Sequence, residues 1–99
     1  MSHLKWTDAA VRDLHRAYAF WAEKDKRVAQ DAIRRIRAEM RALALRPGLG
    51  RPLHVQNQQR REWIIQFGKT GYIAQYEIHG KTIFILRIKR QREKPFEPT

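Results

Sequence analysis

The sequence predicts an α+β domain in which a helical hairpin covers one face of a twisted, mostly antiparallel four-stranded sheet. Two observations carry this. Two adjacent segments in the first half have apolar residues at helical spacing, with only a short polar link between them. Three segments in the second half alternate apolar and polar residues and are separated by glycine-bearing turns. A short alternating stretch at the start supplies one more strand, so the order is β-α-α-β-β-β, a single domain over residues 1–99.

Leu4 and Trp6 alternate with His3 and Lys5, the period of a strand with one face covered. Thr7 followed by Asp8 is a helix start, the threonine hydroxyl serving as cap. Val11, Leu14, Tyr18 and Trp21 form the apolar seam of the first helix, and Lys24-Asp25-Lys26 interrupts it. Ala29, Ile33, Ile36, Met40 and Leu43 then follow in alternating steps of four and three, the seam of a second helix. With so short a link the two helices run antiparallel. Arg34, Arg37 and Arg41 share a flank of that seam and are read as a solvated helix face.

Arg46-Pro47-Gly48-Leu49-Gly50-Arg51-Pro52 stops the helix with two prolines and two glycines and is expected to be an ordered loop. It lacks the Gly-Lys-Ser/Thr ending of a phosphate loop. His54 to Arg60 is polar and continues the loop. Trp63, Ile65 and Phe67 alternate with Glu62 and Gln66, and after a turn at Gly68-Lys69-Thr70-Gly71, Tyr72, Ala74, Tyr76 and Ile78 alternate with Gln75 and Glu77. His79-Gly80 turns the chain into the last strand, Lys81 to Arg90. That strand has Ile83 and Ile85 on one face and Phe84, Leu86 and Ile88 on the other, which places it inside the sheet rather than at an edge. Lys94-Pro95-Phe96-Glu97-Pro98-Thr99 is irregular because of its prolines.

Charge points to the partner. The 99 residues carry 21 Lys and Arg, most of them arginine, against 10 Asp and Glu, a net charge of +11. A polyanionic partner, nucleic acid or an acidic protein segment, suits such an excess. The cations concentrate where an apolar strand ends, in Ile85-Leu86-Arg87-Ile88-Lys89-Arg90-Gln91-Arg92-Glu93. Guanidinium groups mounted on a strand end form a pre-organised site for phosphate or carboxylate. The candidate anion- or target-binding residues are Arg61, Arg87, Lys89, Arg90 and Arg92. Of these, Arg87 follows the strand's alternation and has a structural reading as well.

Other chemistries find little support. The absence of cysteine excludes disulfides and thiolate metal sites. The four histidines, His3, His15, His54 and His79, show no metal-ligand spacing with a carboxylate, so neither metal nor cofactor is expected. Glu62 and Glu77 on neighbouring strands are read as partners of nearby arginines, Tyr72 and Tyr76 as core aromatics, and His79 as a turn residue. No apolar run reaches the ~20 residues that span a bilayer, and the N-terminus is not a signal peptide. A soluble cytoplasmic protein is expected.

The layout resembles the RelE/ParE superfamily of type II toxin–antitoxin toxins, which includes plasmid-stabilisation proteins. The resemblance spans nearly the whole chain. It rests on the helical hairpin, Pro47-x-x-Gly50-Arg51-Pro52, Arg61-Glu62 opening a strand, Gly71-Tyr72 with Tyr76 four residues on, and the basic run ending Arg90-Gln91-Arg92-Glu93, where many relatives have His-Gln-Arg-Glu. It implies a toxin that arrests growth and an acidic antitoxin that folds over the groove between hairpin and sheet.

Two targets occur in the superfamily: RelE-like members cut mRNA on the ribosome, and ParE-like members poison DNA gyrase. The nuclease positions match poorly. Two lysines on the first strand of the hairpin are replaced by Ile64 and Gln66, the arginine after the Gly-Tyr pair by Ile73, and the late tyrosine by Phe96; the last strand's cations survive as Arg90 and Arg92. No histidine stands at the end of that strand. The resemblance therefore favours gyrase inhibition without covalent chemistry, over a ribosome-dependent mRNA endonuclease or a non-catalytic nucleic-acid-binding module.

Overall fold

The computed structural model describes residues 2–92. Its elements are β1 (His3–Trp6), α1 (Asp8–Ala22), α2 (Lys26–Leu45), a short 3₁₀ turn (Pro47–Leu49), β2 (Arg51–Pro52), β3 (Arg60–Phe67), β4 (Thr70–His79) and β5 (Thr82–Arg90). Glu93, Phe96 and the proline-rich end lie outside the described residues.

The two helices form the expected hairpin, and the sheet departs from expectation. It has five strands in the order β1-β5-β4-β3-β2. β1 pairs with β5 in parallel, Leu4 beside Ile83 and Trp6 beside Ile85, so the sheet is mixed rather than antiparallel. The parallel pairing follows from the connection: the whole helical hairpin and the β3–β4 excursion lie between the two strands, long enough for a crossover. The fifth strand is β2, only Arg51 and Pro52, pairing with Glu62 and Arg61. A two-residue strand containing proline carries no alternation, so its sequence reads as loop.

The first hairpin turn is two residues shorter than expected, and the second keeps its expected two residues but sits one position later. Phe67 pairs with Thr70 and His79 with Thr82, so the turns are Gly68-Lys69 and Gly80-Lys81. Each glycine has φ near +60°, which glycine adopts without a Cβ penalty. β5 lies between β1 and β4, so its interior placement holds. A register shift between Gln75 and Tyr76 leaves Leu86 as an extra residue, and the core-facing positions of β5 change from Ile83 and Ile85 to Ile88 and Arg90.

Ile36, Met40 and Leu43 of α2 meet Leu14 of α1 and Ile65, Tyr72, Ala74, Tyr76, Ile83, Ile85 and Ile88 of the sheet in one core. The α2 seam is buried as its spacing predicts. The α1 seam is rotated: Ala10, Asp13, Leu14 and Ala17 are buried, while Val11 and Tyr18 stand at the exposed margin. Small alanines allow α1 to approach the sheet closely, and the larger side chains move to the rim.

Thr7 joins the layers. Its hydroxyl accepts the Ala10 amide, capping α1, and donates to the Ile85 carbonyl at 2.8 Å. Asp25 caps α2 by accepting the Arg27 amide at 2.8 Å.

Candidate functional site

The structure separates the five cations that the sequence groups together. Arg61 lies on the helix-facing side of β3, opposite Tyr76. Its guanidinium donates to the carbonyls of Gly48 at 3.2 Å and Gly50 at 2.8 Å, and its buried Nε reaches no acceptor among the described residues. Tyr76 finishes the same clamp: its hydroxyl donates to the Pro47 carbonyl at 2.6 Å and accepts the Gly50 amide at 2.8 Å. Burial pushes the phenol above its ordinary value of 10, against the opposing pull of the Gly50 amide and the Arg61 charge. The neutral phenol is the form that can both donate and accept. A Cβ on Gly50 would meet the Tyr76 ring at 2.7 Å, so the loop closes this tightly only with glycine there.

Arg87 is bound to a residue that the sequence reading passed over. Asp13, on the inner face of α1, accepts from Arg87 Nε at 2.9 Å and Nη2 at 3.3 Å, from the Ile88 amide at 2.8 Å and from Arg16 at 3.0 Å. The Asp13 side chain is 2% exposed. β1 ends at its pairing with Ile85, and Asp13 supplies the acceptor that the next outward-facing amide of β5 would otherwise lack. A signal was present in the sequence: Asp13 falls on the helical stripe with Ala10, Leu14 and Ala17, where a carboxylate needs a buried partner.

Lys89 pairs in register with Ile73 and is 9% exposed. Arg90 stands opposite Tyr72 with its guanidinium 3.8 Å from the centre of the Phe20 ring. Trp21 donates to the Tyr72 hydroxyl at 2.7 Å, and Trp21, Phe67 and Tyr72 continue edge-to-face or tilted from Phe20. Lys24 also lies over Phe20 at 4.8 Å. Arg92 is exposed in the turn just beyond β5. Arg90 and Lys24 thus meet over an aromatic floor at the tip of the helical hairpin, and Arg92 follows two residues after Arg90. Arg61 is at the other end of the sheet, four residues along β4, about 13 Å at strand rise.

The paired carboxylates are structural, as their surroundings suggested. Glu62 bonds Arg51; Glu77 bonds Arg60 at 2.8 Å and His79. The His79 hydrogen bond first, then Arg60, holds the Glu77 carboxyl below its ordinary value of 4.5. At the positions compared with a nuclease, Ile64 faces Ile73 across two strands, and Gln66 is exposed. An apolar pair there offers no base, acid or charge to a scissile phosphate.

A second cationic feature lies on the opposite margin. Leu4 and Trp6 of β1, Val11, Leu14 and His15 of α1, and Arg37 and Arg41 of α2 line a cleft of about 380 Å³ between hairpin and sheet. Its floor is apolar, and two arginines one helical turn apart stand at its rim.

A basic helical hairpin on a mixed sheet, its arginines clamping a Pro-Gly loop and closing the last strand, is the architecture of a ParE-type toxin of a toxin–antitoxin module. The model of the family described as ParE toxin of the type II toxin–antitoxin system parDE matches residues 4–95, and the chain belongs to that family. A solved chain from the chromosomal ParDE TA system of P. aeruginosa is 30% identical, with a TM-score of 0.71 over 91% of this chain and 96% of that one. No curated protein sequence matches. No helix among the described residues is long and apolar enough to cross a membrane.

Proposed function

We propose that this ParE-type toxin arrests growth by inhibiting DNA gyrase, acting as a binding protein with no covalent chemistry of its own. The Ile64–Ile73 pair carries the reading. It stands where an RNA-cleaving relative would need cations, and the carboxylates on the same two strands, Glu62 and Glu77, are already held by arginines. Metal-free RNA cleavage needs a base, an acid and a cation converging on one phosphate.

For target contact we propose Arg90 and Arg92 at the hairpin tip as the leading residues of the cationic set. Arg61 and Arg87 serve mainly to hold the loop and α1, and Lys89 is nearly buried. The partner within the module is an acidic antitoxin, suited to a chain of net charge +11.

The test is pulse labelling of DNA, RNA and protein synthesis in cells expressing the toxin alone, beside supercoiling by purified gyrase. Early loss of DNA synthesis with inhibited supercoiling supports the proposal. Early loss of protein synthesis with cut mRNA overturns it in favour of a ribosome-dependent nuclease.

A further inference from the structure

The solvent side of α2 carries a line of arginines that the core does not use. Ala29, Ala32, Ile36, Met40 and Leu43 take the buried side of this helix. Arg27, Arg34 and Arg41 recur at every seventh residue, about two turns, so they stand in one row on the opposite side. Arg37 lies beside Arg41, one turn back. All four are exposed. At helical rise the row from Arg27 to Arg41 is about 21 Å long.

The acids of α2 leave this row largely unneutralised. Glu39 is on the other flank, where it accepts from Trp63 Nε1 at 3.2 Å and pairs with Arg35 at 3.9 Å. Asp31 pairs with Arg34 at 3.4 Å, with both side chains in solvent, so Arg34 loses little by exchanging it for another anion. Arg27, Arg37 and Arg41 engage no carboxylate among the described residues. Gln30 and Ala38 lie between the arginines, and the exposed Leu45 stands beyond them. The row begins at the hairpin tip: Arg27 follows the Asp25 cap, and Lys24 in the link lies over Phe20, as Arg90 does.

We propose that this arginine row binds the phosphate backbone of double-stranded DNA, without regard to sequence. A duplex carries one phosphate charge per about 1.7 Å of its axis, so a rigid row of this length finds partners in any register. Guanidinium groups take phosphate oxygens in two-point contacts. Other polyanions fit less well. A single strand is held by stacking on aromatic side chains, and the row has none. An acidic helix docks through apolar anchors in a groove, whereas this surface is convex and has only Gln30 and Ala38 between its arginines. The consequence for gyrase rests on the reading above: the hairpin tip meets the enzyme while α2 lies along the DNA that the enzyme holds.

The experiment uses the full-length toxin, free of antitoxin, and a random-sequence duplex of about 20 base pairs, longer than the row. Binding is measured across a salt series for wild type, for R27Q/R34Q/R41Q and for K5Q/K69Q/K81Q, which removes the same charge at exposed positions of the sheet and its turns. The row variant is expected to bind at least about tenfold more weakly at low salt, with a log–log salt slope flatter by about 2 to 3, while the sheet variant stays close to wild type. Equal losses in the two variants reduce the binding to overall charge and overturn the proposal. So does a row variant that binds the duplex as wild type does, or a wild type that prefers the single strand. A row variant that keeps the duplex and loses polyglutamate assigns the row to an acidic protein and also overturns it. Supercoiling by purified gyrase separates the two readings. Duplex binding through the row with gyrase uninhibited overturns the gyrase reading and leaves the row standing. Inhibited gyrase without duplex binding by the toxin overturns the row and leaves the gyrase reading standing.

Discussion

Arg60, Arg61 and Arg87 on the sheet each bond a carboxylate or carbonyl inside the protein, whereas Arg37 and Arg41 on α2 reach no carboxylate among the described residues. The sequence makes Arg61 and Arg87 candidate surface cations and Arg37 and Arg41 a solvated flank; the structure engages the first two internally and leaves the second two exposed. The reason is geometric. A strand arginine lies within a side chain's length of two neighbouring strands and the layer above, so acceptors surround it. An arginine on the outer flank of a helix meets mainly water, and its charge remains available to a partner. Charge density along a sequence shows where cations are, and packing decides which of them are already engaged.

The largest break in this comparison removes the floor that both sets share. Ile36 is 0% exposed at the centre of the core. Ile36→Asp buries a carboxylate without a partner and is expected to cost more than about 4 kcal/mol, enough to unfold a domain of this size. A cooperative melting transition near that of the wild type would show that α2 is not packed as described.

Asp13→Ala tests the sheet set. It removes a buried acceptor shared by Arg87, Arg16 and the Ile88 amide, with an expected cost of about 3 kcal/mol in chemical denaturation. The comparison predicts that R37E/R41E stays within about 0.5 kcal/mol of wild type in the same assay, as exposed substitutions do. A loss as large as that of Asp13→Ala would mean that the helix arginines are structural too. Tyr76→Phe should fall between them at about 2 kcal/mol, because it leaves the Gly50 amide and the Pro47 carbonyl without their partner in a tight loop.

How far the sequence revealed this molecule follows the same division. The α2 seam, the Thr7 cap, the β3–β4–β5 meander and the interior place of β5 are periodic or local signals, and they were legible. β2 was not, because two residues carry no period. Nor was the parallel pairing of β1, which arises from a contact between the two ends of the chain. Within the candidate site, the strand-end cations were legible as a group but their separation was not. The bulge at Leu86 turns Arg90 toward Phe20, and Asp13 claims Arg87 from the helix layer. Both depend on the assembled fold. Resemblance supplied the toxin family, and the comparisons bear it out.

Arg90→Ala with Arg92→Ala sharpens the comparison at its functional end. Arg90 ends β5 and Arg92 lies in the turn beyond it, so folding should be nearly unchanged, while growth arrest on expression should be lost. Retained toxicity with normal expression would remove the hairpin tip from the target surface and turn attention to the helix arginines.

The smallest expected effect concerns Glu77, the carboxylate that holds Arg60 in the sheet set. Its folded-state carboxyl titrates below the ordinary 4.5 because His79 and Arg60 favour the charged form. The proton therefore binds the unfolded chain more readily, and the stabilisation from this group is complete above that ordinary value. It disappears as pH falls through the lower folded value. A denaturation series taken downward from neutral pH should show this loss in wild type, and Glu77→Gln should flatten that part of the curve, since an amide does not titrate. Arg37 and Arg41 engage no carboxylate among the described residues, so R37E/R41E should leave the Glu77 step unchanged. An unaltered slope in Glu77→Gln would mean that the Arg60–Glu77 pair is solvated in solution, and Arg60 would then leave the engaged set and join Arg37 and Arg41 as a cation open to a partner.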